Sequence, residues 1–242
     1  MIEQAVAAAT SDKKLAQAAR KEGKYRRAIE LIERAIAALE VHRSVLDSTS
    51  TAGVSAEVVD LAEKLADAYG SSGGIYRSAA QYAKSVAAYD KGFLIEADPR
   101  FGLVSSYNLT QRLVARVLYR PDKWNRPGTV VTGERFPDCL NTACDVVIGQ
   151  TSGKRENDPW AWADQGMLLV LLQRPASSAW DKVVALAKKS KQTYVFDSTR
   201  NVLTDLLTRI DKVSAPDAGL AQVADGIRNA DSRLARATSE IT

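Results

Sequence analysis

The chain has 242 residues, of which 45% are hydrophobic and 26% charged, and its formal net charge is +4. This small excess of positive charge argues against the dense basic surface typical of nucleic-acid-binding proteins. Two cysteines are too few for a disulfide framework, so we expect a reducing, cytoplasmic environment. Ala and Leu are abundant and alternating β-branched residues are scarce, which predicts an all-α protein.

The sequence contains no pattern that predicts membrane insertion. Its N-terminal segment carries Glu3 and lacks a basic region, so we do not expect a secretory signal peptide. The longest apolar run, from Leu168 to Leu172, is far shorter than the roughly 20 residues that span a bilayer. We therefore expect no contact with membranes.

The first elements are predicted to be helices. Residues 2–9 form a short helical stretch, after which Ser11 and Asp12 can cap the next helix. Gly23 marks a turn to a second helix from Lys24 to about Leu46, because Gly accepts the left-handed dihedrals that a helix stop requires. Apolar residues on both sides of this turn recur at helical spacing: Leu15, Ala16, Ala19, Tyr25, Ala28, Ile29, Ile32, Ala35, Ile36 and Leu39.

A polar linker follows at residues 47–53, and Ser55 is a candidate cap for the next helix. The run Gly70-Ser71-Ser72-Gly73-Gly74 could be a loop, but the apolar spacing continues through it to Tyr76. We therefore predict that these glycines are helical, although each costs about 1 kcal/mol relative to Ala. Close packing against another helix must offset that cost.

The second half of this region repeats the pattern of the first. Tyr82, Val86, Tyr89 and Phe93 form a stripe at spacings of four, three and four, and Pro99 ends the helix. Further helices are predicted at residues 105–119, 136–148, 160–172, 176–190, 194–210 and 220–234. Residues 120–133 form the longest predicted loop. These patterns predict a single domain over residues 1–242 with roughly ten antiparallel helices and a weak subdivision near residues 120–134.

Two stretches resemble the tetratricopeptide repeat, a 34-residue helix-turn-helix unit. The first is the Gly-x-Tyr-x-x-Ala-Ile run that starts at Gly23 and leads to Ala35 and Ile36, and the second places Gly73 and Tyr76 at the repeat's Gly and Tyr positions. The signature Trp and the first Tyr are missing from the first copy. The resemblance implies a tetratricopeptide-like α-solenoid.

Residues 61–113 also resemble a more specific family, which includes the TRAF-binding part of apoptosis-signalling MAP kinase kinase kinases and its bacterial relatives. A looser likeness covers residues 158–172. The bacterial members resemble components of signalling and conflict systems, in which the repeat region is a scaffold. The resemblance implies a scaffold role here, and the absence of any kinase motif gives no reason to expect kinase activity.

Few residues could support catalysis. His42 is the single histidine and no nucleophile motif points to it. Cys139 and Cys144 lie five residues apart without further Cys or His ligands, so we interpret them as core thiols and expect no metal site. The Gly-rich run lacks the Lys of a phosphate loop. We expect no enzyme activity and no cofactor.

Candidate partner-binding residues form two basic stripes and one aromatic loop position. Lys13, Gln17 and Arg20 lie on one face of the first helix. The resemblance places that face in the concave groove of a solenoid, where some repeat proteins hold a partner's C-terminal carboxylate with Lys and Asn. Gln17 replaces the Asn of that set.

The second stripe is Arg112, Arg116 and Arg120, spaced four apart beside Tyr107 and Asn108. It suits an acidic or phosphate-bearing partner, although either stripe could equally be a solvated helix face. In the predicted loop, Trp124 lies between Lys123 and Arg126 and is either a binding residue or an anchor for the loop.

The sequence therefore predicts a non-catalytic scaffold or adaptor. We expect it to bind a protein or peptide partner of acidic character on a concave face, in a bacterial signalling or defence system. A nucleic-acid-binding helical protein that uses the basic stripes, or the regulatory subunit of an enzyme complex, are the alternatives.

Overall fold

The computed structural model describes residues 2–50, 53–123, 130–131 and 134–240. This part of the chain contains eleven α-helices, which confirms the all-α prediction. The helices are α1 (Ile2–Lys21), α2 (Tyr25–Glu40), α3 (Arg43–Ser48), α4 (Ala56–Ser78), α5 (Tyr82–Glu96), α6 (Tyr107–Tyr119), α7 (Phe136–Thr151), α8 (Pro159–Leu171), α9 (Ser177–Ser190), α10 (Tyr194–Ile210) and α11 (Ala218–Ser239).

The segment predicted as the longest loop contains regular structure. A 3-10 turn covers Pro121–Lys123, and a two-stranded antiparallel ribbon pairs β1 (Val130–Val131) with β2 (Glu134–Arg135). Trp124 lies outside the described residues. Within the described part of the chain, no helix has the length and apolar character needed to cross a bilayer.

Two compact units make up the chain, and the boundary between them falls within α6. Unit 1 is Met1–Ala115 and unit 2 is Arg116–Thr242. In unit 1, α1 packs on α2, α4 packs on α5, and α4 also contacts α1 and α2. In unit 2, α8 packs on α7 and α9, α10 packs on α11, and α11 also contacts α8 and α9.

Two predicted helix boundaries in unit 1 are wrong. Helix α1 continues through Ser11 and Asp12, and the Asp12 carboxylate accepts hydrogen bonds from Arg34 on α2 instead of capping a helix. This pairing lowers the pKa of Asp12. The predicted helix from Lys24 to Leu46 is broken after Glu40, and the new direction of α3 buries Leu46 in the core.

Four helices end in the same turn. In each, one residue adopts a left-handed conformation and the next N–H donates to a carbonyl five residues earlier, as in a Schellman motif. Gly23 is the first of these residues, with φ +72°. Ala80, Gln173 and Lys191 take the same role with φ of 56–57°. In the sequence, glycine predicted the first of these turns. The other three turns have no glycine at the left-handed position, so the sequence did not predict them.

Helix α4 is the centre of unit 1, and its Gly-rich run is helical as predicted. A Cβ atom at Gly73 would lie 2.7 Å from the Tyr89 ring on α5, so the absence of a side chain allows the two helices to pack closely. The Ser85 hydroxyl donates to the Gly73 carbonyl at 2.8 Å in the same contact. Packing therefore offsets the low helix propensity of glycine.

Candidate functional site

The first predicted basic stripe, on α1, lies along α4. Each of its residues contacts α4 about one helical turn further along. The Lys13 ammonium pairs with the Asp67 carboxylate, and the Gln17 amide is 3.4 Å from the Ser71 hydroxyl. One guanidinium nitrogen of Arg20 lies 3.0 Å from the point where a Cβ of Gly74 would be. All three contacts join residues 54 positions apart, because α1 and α4 lie side by side in the same direction.

Tyr107, at the start of α6, packs against the same helix. Its ring would be 2.8 Å from a Cβ at Gly70, and it makes an edge contact with the Tyr89 ring at a centroid distance of 6.0 Å. Burial of the hydroxyl and the adjacent Tyr89 raise the pKa of Tyr107, against the opposing effect of Arg77 and Arg20. The residue as a whole is 38% exposed, so its polar end is enclosed while part of the ring faces solvent.

The α1/α4/α6 face is therefore a single surface of unit 1. We define it by the residues that form or line it: Lys13, Gln17, Arg20, Asp67, Ser71, Gly74 and Tyr107. Four of its members were predicted from the sequence as partner-binding residues, and the fold brings them together.

Asn108 lies beneath this face. Its side chain is 0% exposed and fits against Gly92, where a Cβ would be 2.6 Å away. The amide nitrogen donates to the Ala66 carbonyl at 3.1 Å and to the Glu96 carboxylate at 2.9 Å. Asn108 thus fixes the start of α6 against α4 and α5, and in this conformation a partner does not reach its side chain.

Glu96 completes that junction from the end of α5. Its carboxylate also accepts hydrogen bonds from the Ser105 hydroxyl at 2.8 Å and from the Asn108 backbone N–H at 3.2 Å. A negative group at the first turn of a helix satisfies backbone donors and interacts favourably with the helix dipole. Glu96 therefore positions Tyr107, although it lies eleven residues earlier in the chain.

The three arginines of the second stripe have different environments. Arg112 is 5% exposed, and its guanidinium carbon lies 3.6 Å from the centroid of the Phe93 ring. Such a cation–π contact stabilises a buried guanidinium. Arg116 is half-buried, whereas Arg120 is exposed and lies 3.7 Å from the Asp122 carboxylate. The predicted exposed stripe thus begins with a buried residue.

The structure adds to the face three residues that the sequence analysis did not identify as functional: Asp67, Ser71 and Gly74. A usable signal was the repeated spacing of four and then three in Lys13, Gln17 and Arg20 and in Asp67, Ser71 and Gly74. Equal spacing on two helices is the pattern expected when they pack in parallel register.

The described residues contain no cluster of three or more His, Cys, Asp or Glu side chains that could hold a metal ion. Both cysteines are buried in α7, and burial raises the pKa of Cys144, which disfavours the reactive thiolate. The face can therefore offer hydrogen bonds, one guanidinium and part of an aromatic ring to a ligand.

No protein-family model matches the chain, and no curated protein shows significant similarity to it.

Proposed function

We propose that the protein is a non-catalytic interaction scaffold that binds a protein or peptide partner on the α1/α4/α6 face. The observation that carries the proposal is the convergence of Lys13, Gln17, Arg20 and Tyr107 on one surface from two separate helices. Amide, guanidinium and tyrosine side chains there can bind a polypeptide through hydrogen bonds and ring contacts. A partly exposed aromatic ring beside a cation is typical of such surfaces.

We further propose that the helices form tetratricopeptide-like repeats. The α1/α2 and α4/α5 pairs support this proposal, because each joins two packed helices by the same left-handed turn. The α8/α9 pair has a third such turn, and its Gly166 packs on Trp180 as Gly73 packs on Tyr89. In repeat proteins of this kind the first helices of successive pairs line the binding groove, which corresponds to α1 and α4.

The proposal includes a cytoplasmic setting and a role in a bacterial signalling or defence system, both of which follow from the resemblance and the composition. It requires no cofactor. Among the predicted contact residues, Lys13, Gln17, Arg20 and Tyr107 are the ones placed to touch a partner directly, whereas Asn108 and Arg112 would act by holding α6 in position.

The test is affinity capture of the tagged full-length protein from its native lysate at low and moderate salt, followed by mass spectrometry. We expect one stoichiometric protein partner that is retained by the wild type. The Gln17→Trp variant should lose it, because a bulky ring at this exposed position blocks the face without changing its charge. Arg26→Trp, on the exposed side of α2, is the matched control and should retain the partner.

Two results would contradict the proposal. Retention of the partner by Gln17→Trp would exclude this face. Recovery of nucleic acid that dissociates steeply as salt increases would instead favour a nucleic-acid-binding protein.

A further inference from the structure

The cations near the α1/α4/α6 face differ in whether their charge is already balanced. Lys13 is paired with Asp67, and Arg112 is buried against Phe93. Arg20 is half-buried, and it has neither an ion pair nor a hydrogen bond with any residue in the described part of the chain. It is therefore the cation on this face that remains available to an incoming anion.

The Arg20 guanidinium lies next to Gly74 on α4. Within 4 Å of the Cβ position at Gly74 lie a guanidinium nitrogen of Arg20 at 3.0 Å, the Tyr89 hydroxyl at 3.6 Å and the Tyr107 hydroxyl at 3.9 Å. A side chain at this position would crowd the guanidinium, which would have to shift by a few tenths of an ångström. Gly74 thus allows Arg20 to lie against α4, close to the point that the Tyr89 and Tyr107 hydroxyls also approach.

Two arginines lie close to this point. Arg77, one turn after Gly74 on α4, is buried and close enough to Tyr107 to influence its ionisation together with Arg20. A guanidinium that has lost part of its hydration gains from a charge-assisted hydrogen bond with an anion. Its planar fork fits the two oxygens of a carboxylate.

We propose that Arg20 is the anchor for a carboxylate group of the partner polypeptide. The inference rests on the proposed function and specifies its chemistry: the partner presents an Asp or Glu side chain, or its C-terminal carboxylate, to the guanidinium beside Gly74. One accessible arginine matches one singly charged group, and Lys13 does not contribute because Asp67 neutralises it. Tyr107 forms the wall of the site next to the anchor.

The test uses three pools of synthetic decapeptides whose random positions exclude Asp and Glu. One pool has a free C-terminal carboxylate, the second is amidated and carries two fixed internal Glu residues, and the third is amidated with Gln in place of those Glu residues. Binding of each pool to the immobilised full-length protein is quantified by fluorescence. We expect one of the two carboxylate pools to bind at least about tenfold more than the Gln pool, which corresponds to one charge-assisted contact.

Variants then locate the anchor. Arg20→Gln should remove the preference, Arg20→Lys should retain part of it because the charge remains without the fork, and Arg26→Gln should leave it unchanged. Circular dichroism melting of each variant establishes that it is folded. If Arg20→Gln does not fold, the Arg20→Lys variant decides, since full retention of the preference would contradict a forked contact.

Equal binding of all three pools, absence of binding by both carboxylate pools, or a preference that survives Arg20→Gln would overturn the inference. These results leave the proposed function intact if the lysate partner is still lost in Gln17→Trp. Which carboxylate pool binds distinguishes a C-terminal group from an acidic side chain.

Discussion

The central helices of the two units use the same packing device with different chemistry. In unit 1, α4 places Gly73 against Tyr89, and in unit 2, α8 places Gly166 against Trp180. In both contacts a Cβ on the glycine would lie 2.7 Å from the aromatic ring. In each unit a glycine thus allows the close approach of two helices.

The buried surfaces around these glycines differ. In α4 the buried stretch next to Gly73 includes Gly70, Ser71, Ser72 and Gly74, whereas in α8 the residues after Gly166 are the apolar run 167–171. A polar interior costs stability unless its groups are hydrogen-bonded, and a continuous apolar interior has no such requirement. The buried polar stretch of α4 therefore depends on hydrogen bonds such as the Gln17–Ser71 contact, whereas the apolar run of α8 does not.

The two units also place their charged contacts differently. In unit 1 the hydroxyls of Tyr69 and Tyr76, seven residues apart on α4, donate to Glu40 and Glu33, seven residues apart on α2. Lys91 and Lys84 of α5 cover the same two rings, at 5.5 and 5.4 Å from the centroids. Each of these two tyrosines of α4 thus contacts α2 through its hydroxyl and α5 through its ring. We call each such set of contacts a tyrosine rung.

In unit 2 the charged contacts join outer helices near the surface. The Arg200 guanidinium is 2.8 Å from Asp231, and the Lys188 ammonium is 2.6 Å from Glu240. Exposed pairs of this kind contribute little to stability, typically less than about 1 kcal/mol. These two ion pairs therefore add little to the stability of unit 2.

The glycine contacts give the largest expected effect. Gly73→Ala and Gly166→Ala should each destabilise the protein by about 2 kcal/mol, because a methyl group must displace a packed ring. All four tryptophans lie in unit 2, so tryptophan fluorescence during urea unfolding follows that unit, and hydrogen exchange follows the peptides of both. Gly73→Ala should increase exchange in α4 and α5, and Gly166→Ala should lower the fluorescence midpoint.

The matched control is Gly149→Ala in α7, where a Cβ would meet nothing within 4 Å. The same substitution should there stabilise the protein by about 0.5 kcal/mol, because Ala has the higher helix propensity. Destabilisation of similar size at all three glycines would show that close packing is not what distinguishes Gly73 and Gly166.

The tyrosine rungs give an intermediate effect and should distinguish the units at alkaline pH. Burial and the hydrogen bonds to Glu40 and Glu33 raise the pKa of Tyr69 and Tyr76. The unfolded chain ionises these groups near pH 10, whereas the folded chain resists ionisation. Their contribution to stability is therefore complete below about pH 10 and declines as the pH rises further.

The double variant Tyr69→Phe/Tyr76→Phe should be less stable at pH 8 by about 1 kcal/mol for each lost hydrogen bond. It should also lose less stability than the wild type between pH 9 and pH 11, as measured by hydrogen exchange in α4. Tyr194→Phe, at an exposed position in unit 2, should leave the midpoint at pH 8 unchanged. An identical pH dependence of the wild type and the double variant would exclude the rungs as its cause.

The left-handed turns give the smallest effect, and here the units should behave alike. Ala80 in unit 1 and Lys191 in unit 2 are exposed residues with φ of 56° and 57°. Ala80→Gly and Lys191→Gly should each stabilise the protein by about 0.5 kcal/mol, because glycine relieves the strain but loses more conformational entropy on folding. Thermal melting measures both variants.

Gly23→Ala is the reverse substitution, at φ +72°, and should destabilise by about 1 kcal/mol. Unequal changes in stability at Ala80 and Lys191 would mean that neighbouring contacts outweigh the energetic cost of the left-handed backbone conformation. The turns of the two units would then not be equivalent.

The sequence determined the local structure wherever a periodic pattern or a special residue was present. Helical spacing predicted most of the helices, and Gly23 predicted the first turn. Continuity of the apolar pattern correctly predicted that residues 70–74 are helical. These features depend on neighbours within one or two helical turns, and such neighbours are visible in the chain itself.

Which side chains meet depends on how distant helices pack against each other. The offset of 54 residues between α1 and α4 pairs Lys13 with Asp67 and leaves Arg20 beside Gly74, with no counter-ion among the described residues. The burial of Arg112 against Phe93 is likewise a consequence of how α6 packs. The sequence alone does not show whether a Lys or Arg side chain is exposed, paired or buried. Its neighbours belong to helices that are far away in the chain, and packing sets the register of those helices.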